Sequence, residues 1–418
     1  MSRGDRRRVV VTGLGVVSCL GVDAPAHFRR LLAGESGVAP LAGPRQRGLP
    51  VHFELPVQGF DPRRAVRNRM LRKLLQPSGA FAVAAAGEAL SDAGLADADL
   101  ADAGLWFGSV SYDLPSSIYV PALRASFGPD ERFSFERFGR QGVALVDPLL
   151  IVKGLPNAAL CGIAIEHGIQ GPNANFANGA TAGLEAVIAA AEAVRWGEVE
   201  VAVAGGSDCL LQPEHLIEHT LRQRLWTGDE ARGSGCRPFA AGRRGYLPGE
   251  GAAVVVLESA DHARQRGARA WAEVLGDGET ASAPGGEEEA LAAAASSALD
   301  GRQPDALFAQ GIGTPADDLR EARVADALFG GRVPVTSATG SLGYTGAAGG
   351  ILAFAHAIWS LVHGWLPPTV GCDEPDPSCF VPLVHTAERR PLETALAWAT
   401  DEGRKNAALL CGRAAESR

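Results

Sequence analysis

The sequence lacks the residues that staple or metallate a fold. Its seven cysteines, at 19, 161, 209, 236, 372, 379 and 411, are odd in number and widely spread. Six residues separate even the closest two, Cys372 and Cys379, so neither a disulfide framework nor a CxxC zinc site is legible. Reduced, half-buried thiols in a cytoplasmic protein are the expectation. His215 and His219 have i,i+4 spacing, but with no third ligand nearby they read as a plain helix face, and no metal is expected. Basic excess is missing too: 48 Asp and Glu face 39 Lys and Arg, a net charge of −9. Phosphate neutralisation needs the opposite balance, which argues against a general nucleic-acid binder. GLG at 13–15 lacks the third glycine and the following acid of a dinucleotide fingerprint, and no cofactor is expected.

A membrane-length apolar run is also absent. No Asp, Glu, Lys or Arg occurs from Val333 to Cys372, but five glycines crowd the first half and Pro367-Pro368 ends it. A span of about 20 apolar residues fits poorly, and no membrane span is expected. A wholly buried helix from about Thr345 to His363 fits better. The basic start, MSRGDRRRVVVTGLGVVSCLG, mimics a leader peptide, yet Thr12, Gly13 and Gly15 interrupt it. Val9–Val11 reads instead as a buried strand before a glycine turn.

What is present is core material: 46% hydrophobic and 21% charged residues exclude wholesale disorder. A second uncharged stretch, Gly168 to Leu184, leads into the apolar helix ATAGLEAVIAAAEAVRWG. Both stretches run from small residues through an Ala-rich helix with one Trp, Trp196 or Trp359, towards an apolar strand. That parallel suggests an internal duplication, with halves at 1–255 and 256–418 opened by Val9–Val11 and Ala253–Leu257. Leu105–Phe107 and Ala306–Phe308 form a further pair. Glu287, Glu288 and Glu289 suit the first turn of a helix. Ser111 to Asp147 has no clear period and reads as a loop-rich excursion.

Six ordered motifs resemble the β-ketoacyl synthases of type II fatty-acid and polyketide systems. They are RRVVVTGLGVVSCLG, GIQGPNANFANGATAG, VEVAVAGGSD, CRPFAAGRRGYLPGEGAAVVVLE, FAQGIGTPADDLREA and VPVTSATGSLGYTGAAGG. The resemblance covers roughly Arg6 to Arg413 and implies a thiolase-like α/β fold of duplicated α/β/α/β/α layers with two buried central helices. It also implies a cysteine at a helix start, where the helix lowers the thiol pKa and backbone N–H groups receive the oxyanion. Ala180 stands there. The family's first histidine falls on Gln310, which cannot shuttle a proton near neutral pH. Its lysine and second histidine fall on Thr339 and Tyr344, or on Gly343 in a slipped register. The gating-loop position is Thr400, followed by Asp401, Glu402 and Arg404.

A retained scaffold with an emptied site suggests that the fold itself is used. The resemblance then implies a chain-length factor: a non-condensing subunit that pairs with a catalytic ketosynthase and shapes its acyl tunnel. Its other expected partner is acyl carrier protein, docked on Arg69, Arg72 and Lys73 along one side of a basic helix by charge-assisted bonds. Asn173, Asn175 and Ala177 would lie on the strand that pairs with its twin, and Tyr112, Ile118 and Tyr119 are tunnel candidates. The rival expectation is a repurposed enzyme acting on carrier-bound acyl or malonyl groups through Gln310, Tyr344, Asn178 or Thr181. A stand-alone acyl-binding homodimer is the third. Cys161 and Cys209 carry no sequence sign of a histidine partner and read as structural thiols.

Overall fold

A computed structural model describes residues 6–41, 48–110, 118–228, 236–402 and 404–414. Ten strands carry the fold. Five come first: β1 (Val9–Ser18), β2 (Gly104–Gly108), β3 (Asn173–Phe176), β4 (Val201–Cys209) and β5 (Glu250–Ser259). Five follow: β6 (Ala272–Ala281), β7 (Ala306–Phe308), β8 (Val335–Thr336), β9 (Thr394–Thr400) and β10 (Lys405–Gly412). They form one sheet in the order β8-β7-β9-β10-β6-β1-β5-β4-β2-β3. The fully buried, β-branched runs of β1 and β5 suit a strand covered on both faces.

The order reads the same from either end about the β6–β1 seam, where two residue pairs join the halves. Antiparallel β1·β5 and β5·β4 correspond to β6·β10 and β10·β9, and the outer strands of each half pair in parallel. This symmetry carries the duplication but moves its boundary. Ala253–Leu257, expected to open the second half, lies in β5 and pairs with β1 from Val9↔Ser259 onward. The counterpart of β1 is Ala272–Ala281, so position 255/256 falls inside a strand rather than between repeats.

Helix α1 (Ala24–Leu32) follows β1, and α2 (Pro77–Asp92) lies directly on it. A side chain at Gly13 or Gly15 would meet the Ala89 or Ala85 carbonyl oxygen at 2.0 Å, which is why these strand positions are glycine. Helix α3 (Ala182–Trp196) enters the core after β3, and α4 (Pro213–Leu221) follows β4. Helix α5 (Pro315–Phe329) covers the second half, and α6 (Ala348–His363) is its buried counterpart to α3. Between them α3 and α6 bury Leu184, Val187, Ile188, Ile351, Leu352, Phe354 and Ile358, each contributing about 1.5–3 kcal/mol. The two meet so closely that a Cβ on Gly183 would lie 2.3 Å from the Ala347 carbonyl oxygen. No helix among the described residues is long and apolar enough to cross a membrane.

Two local expectations change. The described part of the excursion between β2 and β3 carries short helical turns at Val120–Ser126, Phe135–Arg137, Phe138–Gly142, Val143–Leu145 and Leu150–Lys153. The basic run is not one helix but two single turns, Pro62–Ala65 and Leu71–Leu74. Val66 is extended between them, Asp61 caps the first, and Asn68 Oδ1 accepts from the Met70 N–H before the second. Consequently Arg69 precedes the helical turn that carries Arg72 and Lys73.

Candidate functional site

The end of β3 delivers the chain to the N-terminus of α3 through Gly179, whose φ of 98° is a conformation glycine adopts freely. Ala180 follows, 1% exposed. Its backbone N–H donates to Asp401 Oδ2 at 3.0 Å. A carboxylate therefore occupies the donor at the helix start that would otherwise receive developing negative charge. Any Cβ on Gly179 would collide with the same carboxylate at 2.3 Å, so glycine makes room for it. Asp401 sits in the turn joining β9 to β10, held by an N–H donated from Arg404 to its backbone carbonyl and one donated from Asp401 to Lys405.

Thr339 and Thr400 converge on Gln310. Its Oε1 accepts from the Thr400 N–H at 2.9 Å and from Thr400 Oγ1 at 3.1 Å. Its backbone carbonyl accepts from Thr339 Oγ1 and Ser337 Oγ, both at 2.7 Å. Below it, Glu321 of α5 accepts from the Gln310 and Gly311 N–H groups and from Trp398 Nε1. Burial pushes the Glu321 carboxyl up to about 7 against the pull of those donors, and the neighbouring Asp318 up to about 8. Gln310 Nε2 is buried with no hydrogen-bond partner among the described residues.

Tyr344 stands between two spaces. Outside lies an open cleft of about 530 Å³, lined by Ala180, Asp208, His215, His219, Asp401 and Glu402 among others. Inside lies a small cavity of about 30 Å³ bordered by Gln310, Thr339 and His356. Tyr344 lines both, and its ring packs 4.4 Å from Tyr246. Burial raises the Tyr344 hydroxyl well above its ordinary pKa, so it stays protonated. Gly343, the slipped alternative, lines only the inner cavity.

Helix α4 supplies what sequence reasoning passed over. His215 and His219 form no plain exposed face; they line the outer cleft. His219 Nδ1 lies 2.7 Å from the Tyr246 hydroxyl, and burial lowers the His215 pKa to about 4, leaving a neutral imidazole whose Nε2 has no partner among the described residues. A third missed feature is a buried relay beneath the inner cavity. Ser18 Oγ lies 2.6 Å from His27 Nδ1, and His27 Nε2 lies 2.7 Å from His356 Nε2. The i,i+4 spacing was visible in α4, but nothing in sequence brings segments 18–27 and 356 together.

Asn178 and Thr181 are already committed: Asn178 Nδ2 and Thr181 Oγ1 both donate to the Glu185 carboxylate. Asn173 and Asn175 lie on β3, an edge strand of the sheet, while Ala177 lies one residue beyond it. Tyr119 donates its hydroxyl to Glu214 of α4, Ile118 is half-buried, and Tyr112 lies outside the described residues. Arg69 and Lys73 are exposed and Arg72 half-buried. Cys161 is exposed, whereas Cys209 is buried and donates to Glu250 Oε2 at 2.9 Å. No group of His, Cys, Asp and Glu among the described residues is arranged to hold a metal ion.

A duplicated layered fold with its pocket at the N-terminus of one buried helix defines the thiolase-like condensing class. The chain belongs to the β-ketoacyl synthase family: the family's N-terminal domain matches residues 6–263 and its C-terminal domain residues 270–373. It is 28% identical to a 3-oxoacyl-[acyl-carrier-protein] synthase 2 of Coxiella burnetii over 98% of this chain and 99% of that one. It is 29% identical to nodulation protein E of Rhizobium meliloti over 96% and 98%. Among solved structures, the ishigamide ketosynthase/chain length factor superposes with a TM-score of 0.87 at 27% identity, covering 98% of this chain and all of that one. A β-ketoacyl synthase from Burkholderia phymatum gives 0.83 at 25% with the same coverage. The architecture is therefore that of a ketosynthase or chain length factor.

Proposed function

We propose that this chain is a non-condensing, chain-length-factor-like subunit that pairs with an active ketosynthase and shapes its acyl tunnel. The observation that carries the reading is the Asp401 carboxylate on the Ala180 N–H. A pocket with no thiol, whose oxyanion donor is already satisfied by a negative charge, has no means of covalent acyl capture. Two further features support pairing. Among the described residues the outer edge of β3 is unpaired, and ten exposed large apolar side chains fall between Leu123 and Leu155, including Phe135 at 84% and Ile151 at 77%. Apolar groups so concentrated suit a surface that another chain covers. Arg69 and Lys73 remain the proposed carrier-protein contacts, with Arg72 set deeper beside them.

The test is the native mass of the chain co-expressed with an active ketosynthase encoded beside it. A one-to-one complex of about twice 43.4 kDa, preferred over either homodimer, is expected. A homodimer indifferent to that partner would overturn the reading. A second reading, repurposed chemistry on a carrier-bound acyl or malonyl group, is favoured by the unpartnered His215 Nε2 and Gln310 Nε2. Carbon dioxide release from malonyl carrier protein by the isolated chain, lost in His215→Ala or Gln310→Ala, would establish it.

A further inference from the structure

Successive residues of a strand point to opposite faces, and the end of β4 uses this to serve two clefts. Asp208 and Leu210 line the cleft over Ala180. Cys209 and Leu211 line a second cleft, of about 510 Å³, that shares no lining residue with the first. Its walls are Val57, Phe60, Val66, Leu75 and Phe81, with the Phe60 and Phe81 rings packed edge to face at 4.9 Å.

The polar groups of this second cleft fall into two sets. On β4 and β5, Cys209 and Glu250 are cross-strand partners, 1% and 7% exposed. The thiol donates to Glu250 Oε2, and the Val57 N–H donates to Oε1 at 2.8 Å. Both carboxylate oxygens are engaged, so the pair serves as a wall of the cleft. From the Leu71–Leu74 turn comes Arg72, half-buried, with no ion-pair or hydrogen-bond partner for its guanidinium among the described residues. Apolar walls with one cationic anchor fit a ligand that has a hydrocarbon tail and an anionic head.

We propose that this cleft binds a medium-chain acyl carboxylate, its head on Arg72 and its chain packed along Phe60, Val66, Leu75 and Phe81 to the Cys209 thiol. Charge complementarity selects the head, and the absence of a competing carboxylate partner leaves Arg72 available for it. The site is non-covalent, lies apart from the emptied pocket, and does not depend on whether the chain pairs with a ketosynthase.

The test is calorimetric titration of the purified full chain with octanoate, acetate and octyltrimethylammonium. Octanoate binding is expected, with acetate and the cation much weaker. Removing one charge-assisted contact in Arg72→Gln should weaken octanoate by roughly ten- to a hundredfold. Because Arg72 is half-buried and unpaired, Arg72→Gln is expected to keep the wild-type melting temperature. No octanoate binding up to about 10 mM, equal binding of the cation, or undiminished affinity in Arg72→Gln would each overturn the proposal.

Discussion

Acid should destabilise this chain through the His27–His356 pair. Both rings are buried, stacked 5.0 Å apart between centroids at an interplanar angle of 9°, and joined through their Nε2 atoms. One proton makes that bond, so two protonated rings would set N–H against N–H. Burial, aided by the Arg30 charge, lowers the His27 pKa from 6.5 to about 3, and burial with His27 beside it holds His356 well below 6.5. Folded pKa values below the unfolded ones mean that the unfolded chain binds more protons under acid conditions. The contribution of His27 is therefore complete above about pH 6.5 and is lost as pH falls from there towards 3. At pH 5 the gap between the unfolded pKa and the solution pH amounts to about 2 kcal/mol for His27 alone. Carboxylates titrate in the same range, so the assay is a difference. Urea unfolding of wild type and His27→Asn at pH 8, 7, 6 and 5 should show the variant losing about 2 kcal/mol less than wild type between pH 8 and 5. Parallel losses would refute the assignment of a neutral buried pair.

Restoring the nucleophile should not restore the reaction. Ala180→Cys alone is expected to stay unacylated by an acyl N-acetylcysteamine thioester, because Asp401 still holds the position-180 N–H. Adding Asp401→Ala should permit a mass increment on Cys at 180, still without condensation; acylation of the single variant at the same rate would disprove the blocking role. Glu321→Ala would strip an acceptor from three buried donors, at Gln310, Gly311 and Trp398. A loss of roughly 3–5 kcal/mol follows, visible in thermal or chemical unfolding; a loss under about 1 kcal/mol would mean those donors find other acceptors.

How far the sequence reaches depends on the range of the interaction. The two buried helices were legible because Ala-rich apolar runs of helical length admit few other environments, and α6, which carries no Asp, Glu, Lys or Arg, begins three residues past its expected start at Thr345. The repeat was legible in composition, but its boundary was not. Ala253–Leu257 looks like an opening strand only until its partners are known, and pairing with β1 is a non-local property. The basic run failed for a local reason: Asn68 and an extended Val66 break a helix that charge spacing alone would continue. Motif alignment could name Ala180 and Gln310 as altered. It could not supply Asp401 as the occupant of the Ala180 N–H, since that contact spans 221 positions. Nor could it turn His215 and His219 inward, because helical spacing specifies a face without saying what the face meets.

On the proposed non-condensing reading, the positions that the family motifs single out also form a connected set. Thr400 donates twice to the Gln310 side chain, Thr339 donates to the Gln310 carbonyl, and Asp401, next after Thr400, caps Ala180. Independent losses would leave many buried groups without partners; here only Gln310 Nε2 among these side chains is so left. Groups that satisfy one another should be energetically coupled. Gln310→Met removes the acceptor while keeping the volume, and Thr400→Val removes one of its two donors. In a double-mutant cycle followed by urea unfolding, the two changes together should cost less than their sum by about 0.5–1.5 kcal/mol, because the hydroxyl bond can be lost only once. Strict additivity would mean that Gln310 and Thr400 act separately, and the set would then be a coincidence of four losses rather than a rebuilt pocket.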